Sequence, residues 1–422
     1  MMTLGRRPGL ASLAIALAWG GAALADPPQA ADPASPAKPA ATDQFKFDPA
    51  YANGARAPLD FSQAPAWYKG ASDAVKAQAE INQAHVYANG VGRIPVDQVK
   101  AAAWLALAAG HGDPGAQYEL AARYAMGLGV PKDAAQAMFW LKKAAEQGSQ
   151  IAQHTLGAAY QVGQGVPKDP VQFIFWTRRA ADQGFAPAQA MLGAAYRDGL
   201  GVEKDPVQSV AWLRKAADQG DANAENMLGA AYQAGAGVPQ DYARAAGWYQ
   251  AAADKNDVRA AINLGALYQT GLGTRPNPAQ ALAWYRKAAD QGAPEAEFRI
   301  ALMYMTGAGV DRDPQQAAAW MRKAADKGLL HAQNALALMY SRGTGVPRDE
   351  AQAFAWRRKA AEQGDANAAY IVGLSYARGQ GVAPDRGQAL AWLRKAAALG
   401  QPNAAKAIQA LEARSKPSFQ DD

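Results

Sequence analysis

Residues 150–185 read QIAQHTLGAAYQVGQGVPKDPVQFIFWTRRAADQGF, and the reading of this stretch decides the fold. Ala152, Leu156, Gly157 and Tyr160 put small or apolar groups on one face of a helix, with Gly157 small enough to let a neighbouring helix approach. Gly163-Gln164-Gly165-Val166-Pro167-Lys168-Asp169 then closes that helix: glycine supplies positive φ, proline stops the helical run, and Asp169 can cap the amides of a second helix. Pro170 stands at the first helical position, where its missing N–H costs nothing. The second helix carries Trp176, then Ala180 and Ala181, and ends at Gly184. The stretch is a helical hairpin, too small to bury both of its apolar faces alone.

Outward from it the hairpin repeats. Trp104, Trp140, Trp176, Trp212, Trp248, Trp284, Trp320, Trp356 and Trp392 stand 36 residues apart without a slip. Tyr124, Tyr160, Tyr196, Tyr232, Tyr268, Tyr304, Tyr340 and Tyr376 keep the same interval, and Tyr87 precedes them with one extra residue in the loop that follows it. Asp133, Asp205, Asp241, Asn277, Asp313, Asp349 and Asp385 occupy the capping place of Asp169, and Pro206, Pro278 and Pro314 that of Pro170. Asn256 replaces the terminal glycine once, which fits, since asparagine also tolerates the left-handed conformation. With half of the residues hydrophobic, 41 glycines and no strictly alternating β-branched runs, burial must come from helices. The expected class is all-α: a solenoid of about nine 36-residue helix-hairpin repeats over residues 76–400, closed by a capping helix over 401–414 and a polar tail at 415–422.

The order Ala, Leu-Gly, Tyr, Gly-x-Gly-Val, Asp, Ala, Trp, Lys-Ala-Ala, Gly resembles the Sel-one-like repeat, a relative of the tetratricopeptide repeat. The resemblance implies a right-handed α-α superhelical solenoid used for protein binding, often as an envelope or secretory adaptor in bacteria. Some exported relatives carry cysteine pairs and were proposed to handle β-lactams; this chain has no cysteine at all.

The N-terminus looks like an export signal over residues 1–25. Arg6 and Arg7 give the basic region, Leu10 to Ala22 the apolar core, and Ala23-Leu24-Ala25 the small-residue cleavage site. Cleavage near Ala25 would leave a periplasmic or secreted protein beginning at Asp26. Residues 26–44 are an Ala/Pro-rich linker, and residues 45–75 gather Phe45, Phe47, Tyr51, Phe61, Trp67 and Tyr68 between prolines and glycines. That segment is expected to dock on the first hairpins and cover their terminal apolar face. The net charge of +6 is interspersed rather than blocked, so no nucleic-acid footprint emerges.

Chemistry is hard to find. His85, His111, His154 and His331 fall at different places in the repeat, and none is paired at a metal-ligating interval, so neither metal nor cofactor is expected. Basic pairs follow most tryptophans (Lys142-Lys143, Arg178-Arg179, Arg322-Lys323, Arg358-Lys359), but acids three and four residues on, such as Glu146, Asp182, Asp326 and Glu362, suggest local ion pairs. The reading is a non-enzymatic exported scaffold for protein or peptide partners; a β-lactam- or peptidoglycan-acting enzyme and an anionic-glycan binder are the alternatives. Partner contacts are placed at the freely varying position six residues before each tyrosine: Tyr118, His154, Asn226, Ile262, Phe298, Asn334 and Tyr370. With the residue just after the tyrosine, it forms one stripe per hairpin. The competing reading is that these side chains pack between hairpins.

Overall fold

The computed structural model describes residues 66–92 and 94–413, so the export signal, the linker and all but the end of the aromatic segment lie outside the described residues. The described residues hold twenty helices and no strand, with one isolated bridge between Val91 and Ile94. A short α1 (Ala66–Gly70) precedes α2 (Asp73–Asn89) and α3 (Gln98–Gly110). The later first helices are α4 (Pro114–Met126), α6 (Gln150–Val162), α8 (Ala186–Asp198), α10 (Ala222–Ala234), α12 (Val258–Thr270), α14 (Pro294–Thr306), α16 (Leu330–Arg342) and α18 (Ala366–Arg378). Their second helices are α5 (Ala134–Glu146), α7 (Pro170–Asp182), α9 (Pro206–Ala217), α11 (Tyr242–Asp254), α13 (Pro278–Asp290), α15 (Pro314–Asp326), α17 (Glu350–Glu362) and α19 (Arg386–Ala398), and α20 (Ala404–Ala413) follows the last pair. The chain divides into two compact units, Met1–Leu228 with Ala236–Val238, and Gly229–Gly235 with Pro239–Asp422.

The loop inside each hairpin is built as its residues demand. Between α16 and α17, Gly343 takes φ 71° and its amide, with that of Thr344 at 3.0 Å, bonds back to Met339 O. Asp349 then donates its N–H to Tyr340 O at 3.0 Å, while its carboxylate accepts from the Gln352 amide at 2.9 Å. The carbonyl of the periodic tyrosine and the capping aspartate thus hold the two helices in one register. All eight caps anticipated from Asp133 to Asp385 accept from amides in the first turn of their helices. In the first hairpin the extra loop residue is absorbed, since Asp97 N–H still reaches Tyr87 O at 2.8 Å. Asn256 is the one non-glycine with positive φ (67°) among the described residues, at the turn where sequence analysis places it.

Packing within a hairpin depends on the missing side chain of Gly157, where a Cβ would stand 2.5 Å from Thr177 Oγ1. Packing between hairpins uses the tryptophans. Trp176 of α7 joins the cluster of Leu141, Ala144, Leu156 and Ala159, and Trp356 of α17 joins that of Met321, Ala324, Leu336 and Ala337. Both rings cross from their own hairpin onto the preceding one, so these two seams have an apolar centre.

A polar clamp runs through the same seams. Gln153 in α6 is fully buried; it donates to Ala145 O of the preceding second helix at 2.9 Å and accepts from Gln183 at the end of its own second helix at 2.7 Å. Gln117, Gln189 and Gln333 repeat this, receiving Gln147, Gln219 and Gln363 at 2.7, 2.8 and 2.8 Å. Where the first member is Glu297 the second is Lys327, at 2.7 Å, and where it is Glu80 the second is His111, at 3.4 Å. In these pairs a buried amide is matched by an amide, and the buried acids Glu297 and Glu80 by a base.

The N-terminal end extends this clamp. Tyr68 of α1, the last aromatic of the 45–75 segment, donates its hydroxyl to the buried Glu80 carboxylate, which His111 also faces. Burial raises the Glu80 carboxyl above the ordinary carboxylate range, with the Tyr68 and His111 hydrogen bonds acting against it.

Candidate partner-binding face

On a first helix the buried groups lie on the side facing the second helices: in α16 these are Ala332, Gln333, Leu336, Ala337 and Met339. At about 100° per residue, the direction opposite them is held by the residue two before the tyrosine. These residues are Ala158, Ala194, Ala230 and Ala266, then Leu302, Leu338 and Leu374, whereas the equivalent Ala122 of α4 is buried.

The stripe expected from sequence lies about 40° to one side of that direction, because it stands four residues earlier. Tyr118, His154 and Asn226 are buried, while Ile262, Phe298, Asn334 and Tyr370 are half-buried. Three of these side chains lean onto the start of the next first helix. His154 meets the Phe185 ring edge-on at 5.5 Å, Phe298 lies 6.5 Å from His331, and Asn334 donates to Asp365 at 3.1 Å. Burial alone drives the His154 imidazole down to about 4; burial, opposed by the hydrogen bond with Thr155 and helped by the Glu119 carboxylate, raises the Tyr118 phenol. The companion position after the tyrosine is also engaged: Gln233 and Gln269 accept from the buried hydroxyls of Tyr249 and Tyr285 at 2.8 and 3.1 Å, and burial pushes both phenols to about 12. The stripe therefore flanks the exposed face, and His154, Phe298 and Asn334 make contacts from one hairpin to the next.

The centre of that face was missed because alanine there reads as packing. The signal that locates it is the change from alanine to leucine at Leu302, where the structure shows partly exposed leucines instead of buried ones: Leu302 is 37% and Leu338 42% exposed. Ile151 (42%) and Ile371 (37%) add exposed apolar area on first helices of the two units.

The basic pairs have other partners than expected. The local ion pair forms at Arg358–Glu362, 2.9 Å. At three other places the first cation reaches the tyrosine of the following hairpin, Arg286 donating to Tyr304 at 2.9 Å, Arg178 to Tyr196 and Arg322 to Tyr340, while Arg394 pairs with Glu412 of α20 at 3.1 Å. The second cation lies over its own tryptophan, with Lys215, Lys323 and Lys359 each 3.8 Å from the ring centroids of Trp212, Trp320 and Trp356. The first cations Arg178, Arg286 and Arg322 thus tie one hairpin to the next, and the second cations cover the tryptophan faces of their own helices. Beside one of them is a shallow pocket of about 400 Å³, lined by Arg322, Tyr340, Arg348, Asp349 and Trp356, in which Arg348 is already paired with Glu350 at 2.8 Å. Among the described residues no group of three or more His, Asp or Glu could hold a metal ion, and no helix is long and apolar enough to cross a membrane.

The Sel1 repeat profile matches nine consecutive segments from 77–113 through 150–185 to 366–401. The chain belongs to the Sel1 repeat family. Sel1 repeats make an α-solenoid whose usual role is protein interaction, generally without catalysis. A Sel1 repeat protein from Oxalobacter formigenes is 34% identical, with 74% of this chain and 92% of that one covered and a TM-score of 0.61. A protective antigen of uropathogenic Escherichia coli strains that displays the same repeat fold is 33% identical, with 87% and 86% covered and a TM-score of 0.53. The comparison with curated proteins finds no match.

Proposed function

We propose that this Sel1 repeat protein is an exported, non-enzymatic adaptor that holds a protein or peptide partner along the outward face of its first helices. Its place is the periplasm or the exterior, in envelope assembly, secretion or signalling. The observation that carries the reading is the contrast between the two sides of the first helices. On the inner side polar groups find partners and cations bond across seams, whereas on the outer side Ile151, Leu302, Leu338 and Ile371 face solvent. Apolar groups that the fold does not need for its own core are what a partner surface supplies. The anionic-glycan alternative is weakened by the engagement of the basic pairs with tyrosine and tryptophan, and the thiol-stitched enzyme alternative by the absence of cysteine.

The test is crosslinking in the native cell envelope with a photoreactive residue at Ile151 and, separately, at Leu338. Specific recovery of one or a few proteins supports the adaptor. Recovery of no protein from either site, or turnover of a chromogenic β-lactam by the purified chain, overturns it. Export is tested by sequencing the N-terminus of the envelope fraction, which should begin at Asp26.

A further inference from the structure

The outward face differs along the chain. Position by position, its centre is alanine in the hairpins of α6 to α12 and leucine in those of α14, α16 and α18. One turn further on the same face, at the last residue of each first helix, stand Val162, Asp198, Ala234, Thr270 and Thr306, and then Arg342 and Arg378. Both arginines are exposed, and neither pairs with a carboxylate among the described residues. No carboxylate lies anywhere on α16 or α18. The last two first helices thus present a leucine floor, with Ile371 beside it, rimmed by two unneutralised guanidinium groups and flanked by the half-buried Tyr370.

Resting on the adaptor reading, we infer that α16 and α18 form its anchoring subsite and take an acidic peptide segment bearing large apolar side chains. Leucine floors select apolar groups, and guanidinium groups beside them select carboxylates through charge-assisted hydrogen bonds. Asn334 of α16 donates to Asp365 at the start of α18 at 3.1 Å, so the two helices are neighbours and a short peptide can cross both. In the first unit the same places hold Ala158 and Val162, then Ala194 and Asp198, which give neither the deep apolar floor nor the unpaired cation.

The experiment pans a random twelve-residue phage-displayed peptide library on the full chain, then measures the enriched peptides by fluorescence anisotropy against three variants. Expected are peptides with Asp or Glu between Leu, Ile or Phe. Binding should weaken at least about tenfold with Leu338→Asp and with the pair Arg342→Glu/Arg378→Glu, and the arginine pair should turn preference toward basic peptides. Helicity and melting should not change, since all three side chains are exposed or partly so. Enrichment of peptides without acidic residues, binding indifferent to the arginine pair, no enrichment, or displacement of the peptides by an anionic polysaccharide overturns the inference. If Ile151→Asp, not Leu338→Asp, abolishes binding, the adaptor stands and this subsite falls; if crosslinking recovers no partner, the adaptor itself falls.

Discussion

Within the loop joining α16 to α17, two glycines two residues apart should respond very differently to alanine. Both have positive φ, 71° at Gly343 and 70° at Gly345, so each variant bears the left-handed penalty, about 1–2 kcal/mol. Their surroundings separate them. A Cβ on Gly343 would lie 3.4 Å from the nearest atoms, an ordinary contact, whereas on Gly345 it would stand 1.9 Å from Pro314 O and 2.4 Å from Pro314 C. Those atoms are backbone in the first turn of α15, so no side chain can swing away, and the hairpin must shift by more than an ångström. Overpacking of that kind adds about 1–3 kcal/mol. Gly345→Ala should therefore cost about 2–5 kcal/mol in all and Gly343→Ala only the conformational part. Guanidinium unfolding followed by circular dichroism measures both. Because repeat arrays can unfold in stages, the comparison belongs to the transition that includes α15 to α17. Equal losses would mean that the hairpin seam yields freely at the loop, and the close approach would then carry no energy.

The clamp predicts a rescue: Lys327→Ala leaves the Glu297 carboxylate buried without its partner and should destabilise by about 3 kcal/mol, while Glu297→Gln with Lys327→Gln, copying Gln333 and Gln363, should restore most of it; thermal melts decide, and an equally weak double variant defeats the matching argument. His154 has a folded pKa of about 4 against 6.5 unfolded, so the unfolded chain takes up the proton first. The stability it contributes is complete above pH 6.5 and is lost as pH falls toward 4, a span worth up to about 3 kcal/mol. His154→Asn, copying Asn226, should flatten the stability profile across that window, and an unchanged slope in denaturant titrations at stepped pH counts against its burial as a neutral ring. Tyr304→Phe removes the acceptor of Arg286 at the exposed edge of a seam and should cost under about 1 kcal/mol, read as a small midpoint shift with partner capture intact.

Most of the architecture was legible because its signals are local and recur. Trp356, Tyr340, Gly343 and Asp349 act within one hairpin or its nearest neighbour, so an interval of 36 residues exposes each of them nine or nearly nine times. The clamp was not legible from its first member. Gln153 lies on an apolar face yet reads as a surface residue until Gln183, 30 residues on, is placed against it. The outward face proposed for partners differs from the expected stripe for another reason: free variation marks a seam residue such as His154, which contacts Phe185, as readily as a groove residue. Only the direction of each side chain about the helix axis tells Asn334 from Leu338. Tyr68 was expected at the N-terminal cap through its ring, and the contact it makes to Glu80 is through its hydroxyl.

The two arms of the glutamine clamp obey different rules of inheritance. Toward the preceding hairpin Gln153 addresses a backbone carbonyl, which any sequence offers; toward its own hairpin it addresses the Gln183 side chain, which must match. A gene duplication or crossover that cuts between a second helix and the following first helix keeps every matched pair on one fragment. One that cuts inside a hairpin can marry Glu297 to Gln363, leaving a buried carboxylate without its lysine, or Gln333 to Lys327, leaving a buried amide facing an ammonium group. Whole hairpins taken in the frame that begins at a first helix are therefore exchangeable parts, and arrays of this kind can lengthen, shorten or shuffle in that frame without redesigning their interiors.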